Sequence, residues 1–350
     1  MMSKTVKVFL KTVLFAILAL LLPLGIYTEI SAVETESEAN AVKPNEQGAI
    51  ERMRSGFESF EERIDLSQYN ISPQDLTRIF ANATKNSPYL FYVDKNLSYT
   101  YRMGGNVLSV TPKYNCTQVQ FEQMMNFCRG EVKKIAALAN EGESELEKLI
   151  YAHDIICCGF SYDLTLESNN IYTFLTTKRG TCQGYTWTYM AVLRELGIEC
   201  EYVASDSIIH IWLKVKIDGE WYYSDVTWDD PPSDEGKGMP VSRRHLLFSD
   251  RKANSDGYKD RYGASGEKCT SEKYDSFDFS EVLPPEHRHG DVNCDGKVSV
   301  FDVIYLRRYV EHGEKSEIAC VICADVDGDF RISETDIQPA REIVLTNSGE

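Results

Sequence analysis

Twelve residues near the C-terminal end of the sequence, DVNCDGKVSVFD (291–302), return thirty-four residues later as DVDGDFRISETD (325–336). In both copies an oxygen-bearing side chain falls at loop positions 1, 3, 5, 9 and 12. These are Asp291, Asn293, Asp295, Ser299 and Asp302, then Asp325, Asp327, Asp329, Ser333 and Asp336. So many oxygen donors converge only around a cation that offsets their charge. Calcium takes six to eight oxygens, and an alternation of this length wraps one ion, with the backbone carbonyl of position 7 (Lys297, Arg331) as a further ligand. The repeat therefore predicts two calcium sites.

Each loop runs into an amphipathic segment, VIYLRRYV after the first and IQPAREIV after the second. This loop-then-helix pair, covering roughly 290–345, resembles the type I dockerin. The resemblance implies a small all-α module folded around two calcium ions. It also implies a partner, a cohesin module of a scaffold such as those of cellulosome-like, polysaccharide-degrading assemblies. The two halves differ. Phe330 stands where Gly296 makes the sharp turn of the first loop, and Pro339 falls inside the second helix. Loop positions 10 and 11, which read the partner in dockerins, are Val300 and Phe301 in one half and Glu334 and Thr335 in the other. Such unlike halves argue against two equivalent binding modes.

The rest of the chain is long enough for one larger domain. With 350 residues and a net charge of −17, neither nucleic acid nor an anionic membrane surface is an expected partner. Lys4, Lys7 and Lys11 precede an apolar run, TVLFAILALLLPLGI, that is short for a membrane span and broken by Pro23. That is the pattern of a secretory signal, with cleavage expected after Ala32. The mature protein is thus expected outside the cell, or on its surface through a scaffold, with no membrane segment left. Ten cysteines do not read as a disulfide framework. Cys157 and Cys158 lie in the apolar run IICCGF and read as core thiols, and the lone Cys320-x-x-Cys323 lacks the second pair a zinc site needs.

Residues 33–50 are acidic, lack apolar periodicity and read as a linker. Helical spacing is predicted over 118–138, 143–158 and 182–196, the last stopping at Gly197. The segment KRGTCQGYTW places Cys182 at the start of that third helix, with Thr181 as its cap. The positive end of a helix favours a thiolate, and Gly180 and Gly184 are expected to leave room for a substrate beside the sulfur. A nucleophile also needs a base with an orienting partner. Two strands, 208–217 and 220–228, joined at Asp218-Gly219, supply the test. A two-residue turn there pairs Ile217 with Glu220, sets His210 opposite Thr227 and Asp225 opposite Trp212, and makes His210 and Asp225 diagonal neighbours on one face. The alternate residues Ile209, Ile211, Leu213, Val215 and Ile217 read as core. Register alone does not bring Cys182 to the histidine.

The segments GTCQGYTW, HIW and DVTWDDP, in that order, resemble the three signatures of the transglutaminase-like superfamily, over roughly 146–250. The resemblance implies a papain-like α+β core, a helix packed on an antiparallel sheet. In it Cys182 is the nucleophile, His210 the general base and then acid, and Asp225 the orienter of the imidazole. It implies no cofactor for that domain and structural roles for Asp229 and Asp230. Leu213 departs from the family's frequent asparagine. The expected organisation is a signal (1–32), a linker (33–50), a transglutaminase-like domain (51–280), a second linker (281–289) and the dockerin (290–350). The expected function is a scaffold-docked cysteine hydrolase acting on protein or peptide amides. Two rivals are a protein cross-linking transglutaminase and a non-catalytic or carbohydrate-directed module.

Overall fold

A computed structural model of the chain describes residues 26–31, 46–102, 105–165, 168–230, 239–240, 243–263, 266–277, 279, 288–293, 295–313, 318, 321–327 and 331–347. These fall into two compact units, one up to Phe121 and one from Glu122 onward. The first is built on an antiparallel four-stranded sheet. Its strands are β1 (Ile26–Ser31), β2 (Ile64–Asp65), β3 (Val93–Tyr101) and β4 (Val107–Tyr114), in the order β1-β3-β4-β2. Helices α1 (Gln47–Glu58) and α2 (Leu76–Thr84) contribute Met53, Phe57, Ile79 and Phe80 to a core that also takes Leu97, Val107 and Val110 from the strands. The basic start and apolar run of the expected signal lie outside the described residues. Its last residues form β1, which lies along β3.

Helix α3 (Gln118–Ala139) leads into the second unit and follows the predicted span closely. Helix α4 (Glu145–Gly159) starts at a capping box in which the Ser144 hydroxyl accepts from the Glu147 amide and the Glu147 carboxylate accepts from the Ser144 amide. A parallel pair of short strands follows, β5 (Ser161–Tyr162) and β6 (Arg179–Gly180), with α5 (Ile171–Thr177) between them. Helix α6 (Cys182–Glu195) begins directly after β6 and gives way to Gly197 at φ +78°, the left-handed stop its sequence predicts. It packs on an antiparallel sheet in the order β10-β7-β8-β9, formed by β7 (Cys200–Ser205), β8 (His210–Ile217), β9 (Glu220–Ser224) and β10 (Tyr262–Gly263). A helix on an antiparallel sheet is the α+β core expected from the sequence. Tyr185, Tyr189, Met190 and Leu193 of α6, and Leu213, Val215 and Ile217 of β8, are buried.

The hairpin pairs Ile217 with Glu220 and continues without a slip to Leu213 and Ser224, the predicted register. Asp218 and Gly219 both have positive φ, +54° and +84°, the backbone of a type I′ turn. Two details of the hairpin are corrected. First, the ladder stops one pair short of Asp225, whose amide leaves the sheet and donates to the His245 carbonyl. Second, Ile209 is not core. The turn over 206–209 closes with the Ile209 amide donating to the Asp206 carbonyl, and it leaves Ile209 88% exposed at φ +49°, before the strand begins. The face that carries His210 is covered as well. Trp212 on it joins Tyr223, Phe248 and Tyr258 in a second apolar cluster, with α7 (Asp250–Ser255) supplying Ala253. Both faces of β8 are thus buried.

The C-terminal repeat forms α8 (Val300–His312) and α9 (Glu334–Asn347), which pack on one another. Helix α8 opens with a Ser299–Asp302 capping box and closes at Gly313, whose φ is +67°. Pro339 lies inside α9, where it can donate no backbone hydrogen bond. No helix among the described residues is long and apolar enough to cross a membrane.

Candidate active site and calcium loops

Cys182 is the first residue of α6 and is partly exposed. Thr181 holds the N-cap position, but its side chain makes no capping hydrogen bond. The expectation that Gly180 and Gly184 clear room for substrate is corrected: the Phe174 ring fills that room. A Cβ on Gly180 would meet the ring at 2.3 Å and one on Gly184 at 2.6 Å. The glycines let α5 and α6 close on each other, which fixes the start of α6 and the thiol on it.

His210, at the start of β8, is 7% exposed and is brought to both of its expected neighbours. Its Nε2 donates to Asp225 Oδ2 over 2.7 Å, and its side chain also hydrogen-bonds with Cys182. With Nε2 committed to the carboxylate, Nδ1 is the ring nitrogen left for the sulfur. Burial disfavours a charged imidazole here, but the charge and hydrogen bond of Asp225, and after them Cys182, outweigh it and raise His210 from 6.5 to about 10. The ring is held flat between Trp212, with centroids 5.5 Å apart, and Trp228, at 5.1 Å. The three residues singled out in the sequence therefore meet, and the remaining step that register could not supply is made by the packing of α6 on β8.

Asp225 is buried with all its acceptor capacity in use. Oδ1 accepts from the amides of Thr227 (3.1 Å) and Trp228 (3.2 Å). Oδ2 accepts from His210 and from the Tyr258 hydroxyl, the latter also at 2.7 Å. Tyr258 was not visible as a site residue. It lies 33 positions beyond Asp225, after α7, and no local pattern marks it.

A second ionised cluster braces the same loop. His153 on α4 is fully buried, with Nδ1 donating to Asp154 (3.0 Å) and Nε2 to Asp229 (3.1 Å). Both ring nitrogens donate, so this imidazole is a cation. Burial works against that charge, yet the hydrogen bonds and charges of Asp154 and Asp229 raise it from 6.5 to about 9. Asp229 also accepts from the His245 amide and from His245 Nδ1, and Arg243 pairs with Asp154. Burial alone would raise Asp229, but His153 and His245 hold it well below the usual carboxylate range. Asp230 accepts from the Tyr185 hydroxyl, at 2.5 Å. Both aspartates thus tie the loop after Asp225 to α4 and α6. Cys157, read as a core thiol, is buried with its sulfur 3.7 Å from His153 Nε2. Cys116, Cys128, Cys182, Cys200, Cys269 and Cys323 are likewise free thiols; Cys158, Cys294 and Cys320 lie outside what is described of the side chains.

In the first repeat Asp291 and Asp302 are buried, and the loop folds back on them. Asp291 accepts from the amides of Asp295 and Gly296, and Asp302 from those of Val292, Asn293 and Ser299. Gly296 takes φ +84°, the turn that position 6 requires. In the second repeat oxygens of Asp325, Asp327 and Asp336 lie within 4.8 Å of one another. Burial, with neighbouring carboxylates contributing, pushes the pKa values of Asp291 and Asp336 above the usual carboxylate range. An all-oxygen donor set in which Asp291, Asp302, Asp325 and Asp336 are buried fits a hard cation. Asp329 and Phe330 and the side chain of Arg331 lie outside the described residues; Asn293, Asp295, Lys297, Ser299 and Ser333 occupy the loops where predicted.

Against known proteins, residues 133–226 match the family model described as Transglutaminase-like superfamily, and residues 289–339 match that of the Dockerin type I domain. The chain carries a transglutaminase-like domain followed by a type I dockerin domain. No curated protein matches the chain. Among solved structures it is similar to a TGase at 14% identity and TM-score 0.29, covering 50% of this chain and 53% of that one. It is also similar to a putative cysteine protease from Cytophaga hutchinsonii, at 17% identity and TM-score 0.23, covering 38% and 53%. A third similarity is to a putative protease from Parabacteroides distasonis, at 16% identity and TM-score 0.24, covering 37% and 33%. The chain thus spans about half the length of the first two and a third of the last.

Proposed function

We propose that the transglutaminase-like domain is a cysteine acyl-transfer enzyme that hydrolyses protein or peptide amides. The observation that carries this reading is the continuous chain of hydrogen bonds from Cys182 through His210 to Asp225. His210, charged at working pH, already carries on Nδ1 the proton given up by Cys182 when the sulfur attacks the amide carbonyl carbon. His210 then delivers that proton to the departing amine, leaving a thioester on Cys182. Asp225 orients the ring and offsets the imidazolium charge. The Cys182 amide, at the first turn of α6 and without an intrahelical acceptor, can donate to the tetrahedral oxyanion. Water entering from the side of the departed amine, activated by His210, releases the acid.

The same thioester could be resolved by a lysine amine, which would make the enzyme a cross-linker. Incubating the full chain with casein and a dansylated amine separates the two. New peptide termini with little dansyl incorporation are expected; dansylated casein without peptide release would contradict the hydrolase reading.

The dockerin is proposed to hold this enzyme on a scaffold through a cohesin, outside the cell. Val300, Phe301 and Ile304 are exposed on α8, whereas the matching residues of the second repeat are the exposed Glu334, Thr335 and Gln338. An apolar anchor at only one half supports a single binding mode. Two calcium ions would be held by the carboxylates and Asn293 of the loops, with the carbonyls of Lys297 and Arg331. Chelation is expected to reduce helicity in α8 and α9, because the buried carboxylates lose their counter-charge, and to abolish cohesin binding. Helicity and binding indifferent to chelator would refute the calcium reading.

A further inference from the structure

We infer that Tyr258 is a positioning residue for the reaction, a fourth member of the hydrogen-bonded chain that sets the charge His210 feels from Asp225. The inference rests on the proposed roles of Cys182, His210 and Asp225 and deepens them. Tyr258 is fully buried, and its hydroxyl donates to the same oxygen, Asp225 Oδ2, that receives His210 Nε2. Burial, and next to it the Asp225 charge, push the phenol far above its ordinary range, so it stays a donor throughout the working pH. Its ring is locked by packing rather than by chance contact. Centroids of Trp228, Trp212 and Phe248 lie at 4.3, 4.8 and 4.9 Å. Trp228 and Trp212 are also the rings that sandwich His210. One aromatic stack therefore aligns the imidazole and the phenol on one carboxylate oxygen.

The consequence is electrostatic. A carboxylate oxygen shared between two donors gives each less of its charge than it would give one alone. With Tyr258 present, Asp225 orients His210 but stabilises the imidazolium less, so the ring more readily releases its proton to a leaving amine. The other titratable groups facing this cluster are Cys182 against His210, and Asp229, Asp256 and His245 around Tyr258. Of these, none is hydrogen-bonded to Asp225 Oδ2 in the way the phenol is.

The test is the pH dependence of Cys182 alkylation by iodoacetamide in the full chain, which needs no substrate, together with kcat/KM on casein. In Tyr258→Phe the ring stack is kept and one hydrogen bond is lost. The step assigned to His210 should move upward by about 0.5 to 1 pH unit, and kcat should fall about tenfold with little change in KM. Replacing Tyr258 by 3,5-difluorotyrosine keeps the fold and strengthens the donor, so the step should move downward. Unchanged profiles in the fluorinated chain, or in a folded Tyr258→Phe, would overturn the inference. His210→Ala separates this from failure of the parent reading. If it leaves the alkylation profile of wild type intact, the Cys182–His210 pairing itself is wrong; if it removes the step while the Tyr258 variants do nothing, only the role of Tyr258 falls.

Discussion

Cys182→Ala is expected to lower kcat/KM on casein by roughly 10⁴- to 10⁶-fold while leaving folding and calcium binding unchanged. The sulfur forms the bond that the reaction depends on, and no neighbouring thiol can replace it. Cys157 is buried and its sulfur lies beside His153, not His210. His210→Ala should cost a similar amount, and the double variant little more, because the two side chains act as one unit. Activity within a hundredfold of wild type in either variant would leave the nucleophile unassigned.

The second large effect is on stability. His153→Gln removes a buried cation and leaves Asp229 and Asp154 with a neutral neighbour. Breaking such a pair from one side costs roughly 3–5 kcal/mol, read as a lowered unfolding transition by calorimetry. The pH dependence has a definite sign. His153 holds its proton more tightly folded than unfolded, so its contribution is complete below about 6.5 and is lost as pH rises towards about 9. Asp229 acts oppositely: its lowered pKa gives stability above about 3.8 that is lost as acid is added. The wild-type domain should therefore lose stability from pH 6.5 to 9, and the alkaline slope should shrink by about one proton in His153→Gln. His210, raised with the same sign, keeps the remainder of the slope. An unchanged slope would mean that His153 is neutral.

What the sequence made legible was local. The β8–β9 register followed from Asp218-Gly219 because a type I′ turn leaves one pairing, and that pairing put His210 within reach of Asp225. The end of α6 was carried by Gly197, and the calcium loops by a repeat that fixes donor spacing; Thr181 stands at the start of α6 without making the cap expected of its hydroxyl. Periodicity could not place Ile209, because one turn residue before the strand moves a β-branched side chain from core to solvent. Nor could it find Phe174, which occupies the space beside Gly180 and Gly184, since that contact joins two helices through packing. His153 lies one helical turn before Cys157, a spacing that packing alone would explain. Its partner Asp229 is 76 positions away, so only the fold reveals the ion pair. Tyr258 and Arg243 stayed silent for the same reason. In the first unit β2, β3, β4 and α2 had no assignment, while β1 and the start of α1 fall where the sequence reads as signal and linker, although Ala49 and Ile50 are buried in the core.

The acyl-transfer claim is tested most directly by the covalent intermediate. The full chain, mixed with an activated peptide ester and quenched in acid during the first turnover, can be mapped by mass spectrometry. A thioester on Cys182 is expected, absent from Cys182→Ala and released as free acid in the presence of excess dansylated amine. Turnover in which Cys182 stays unmodified, or an acyl group found on another residue, would contradict the account.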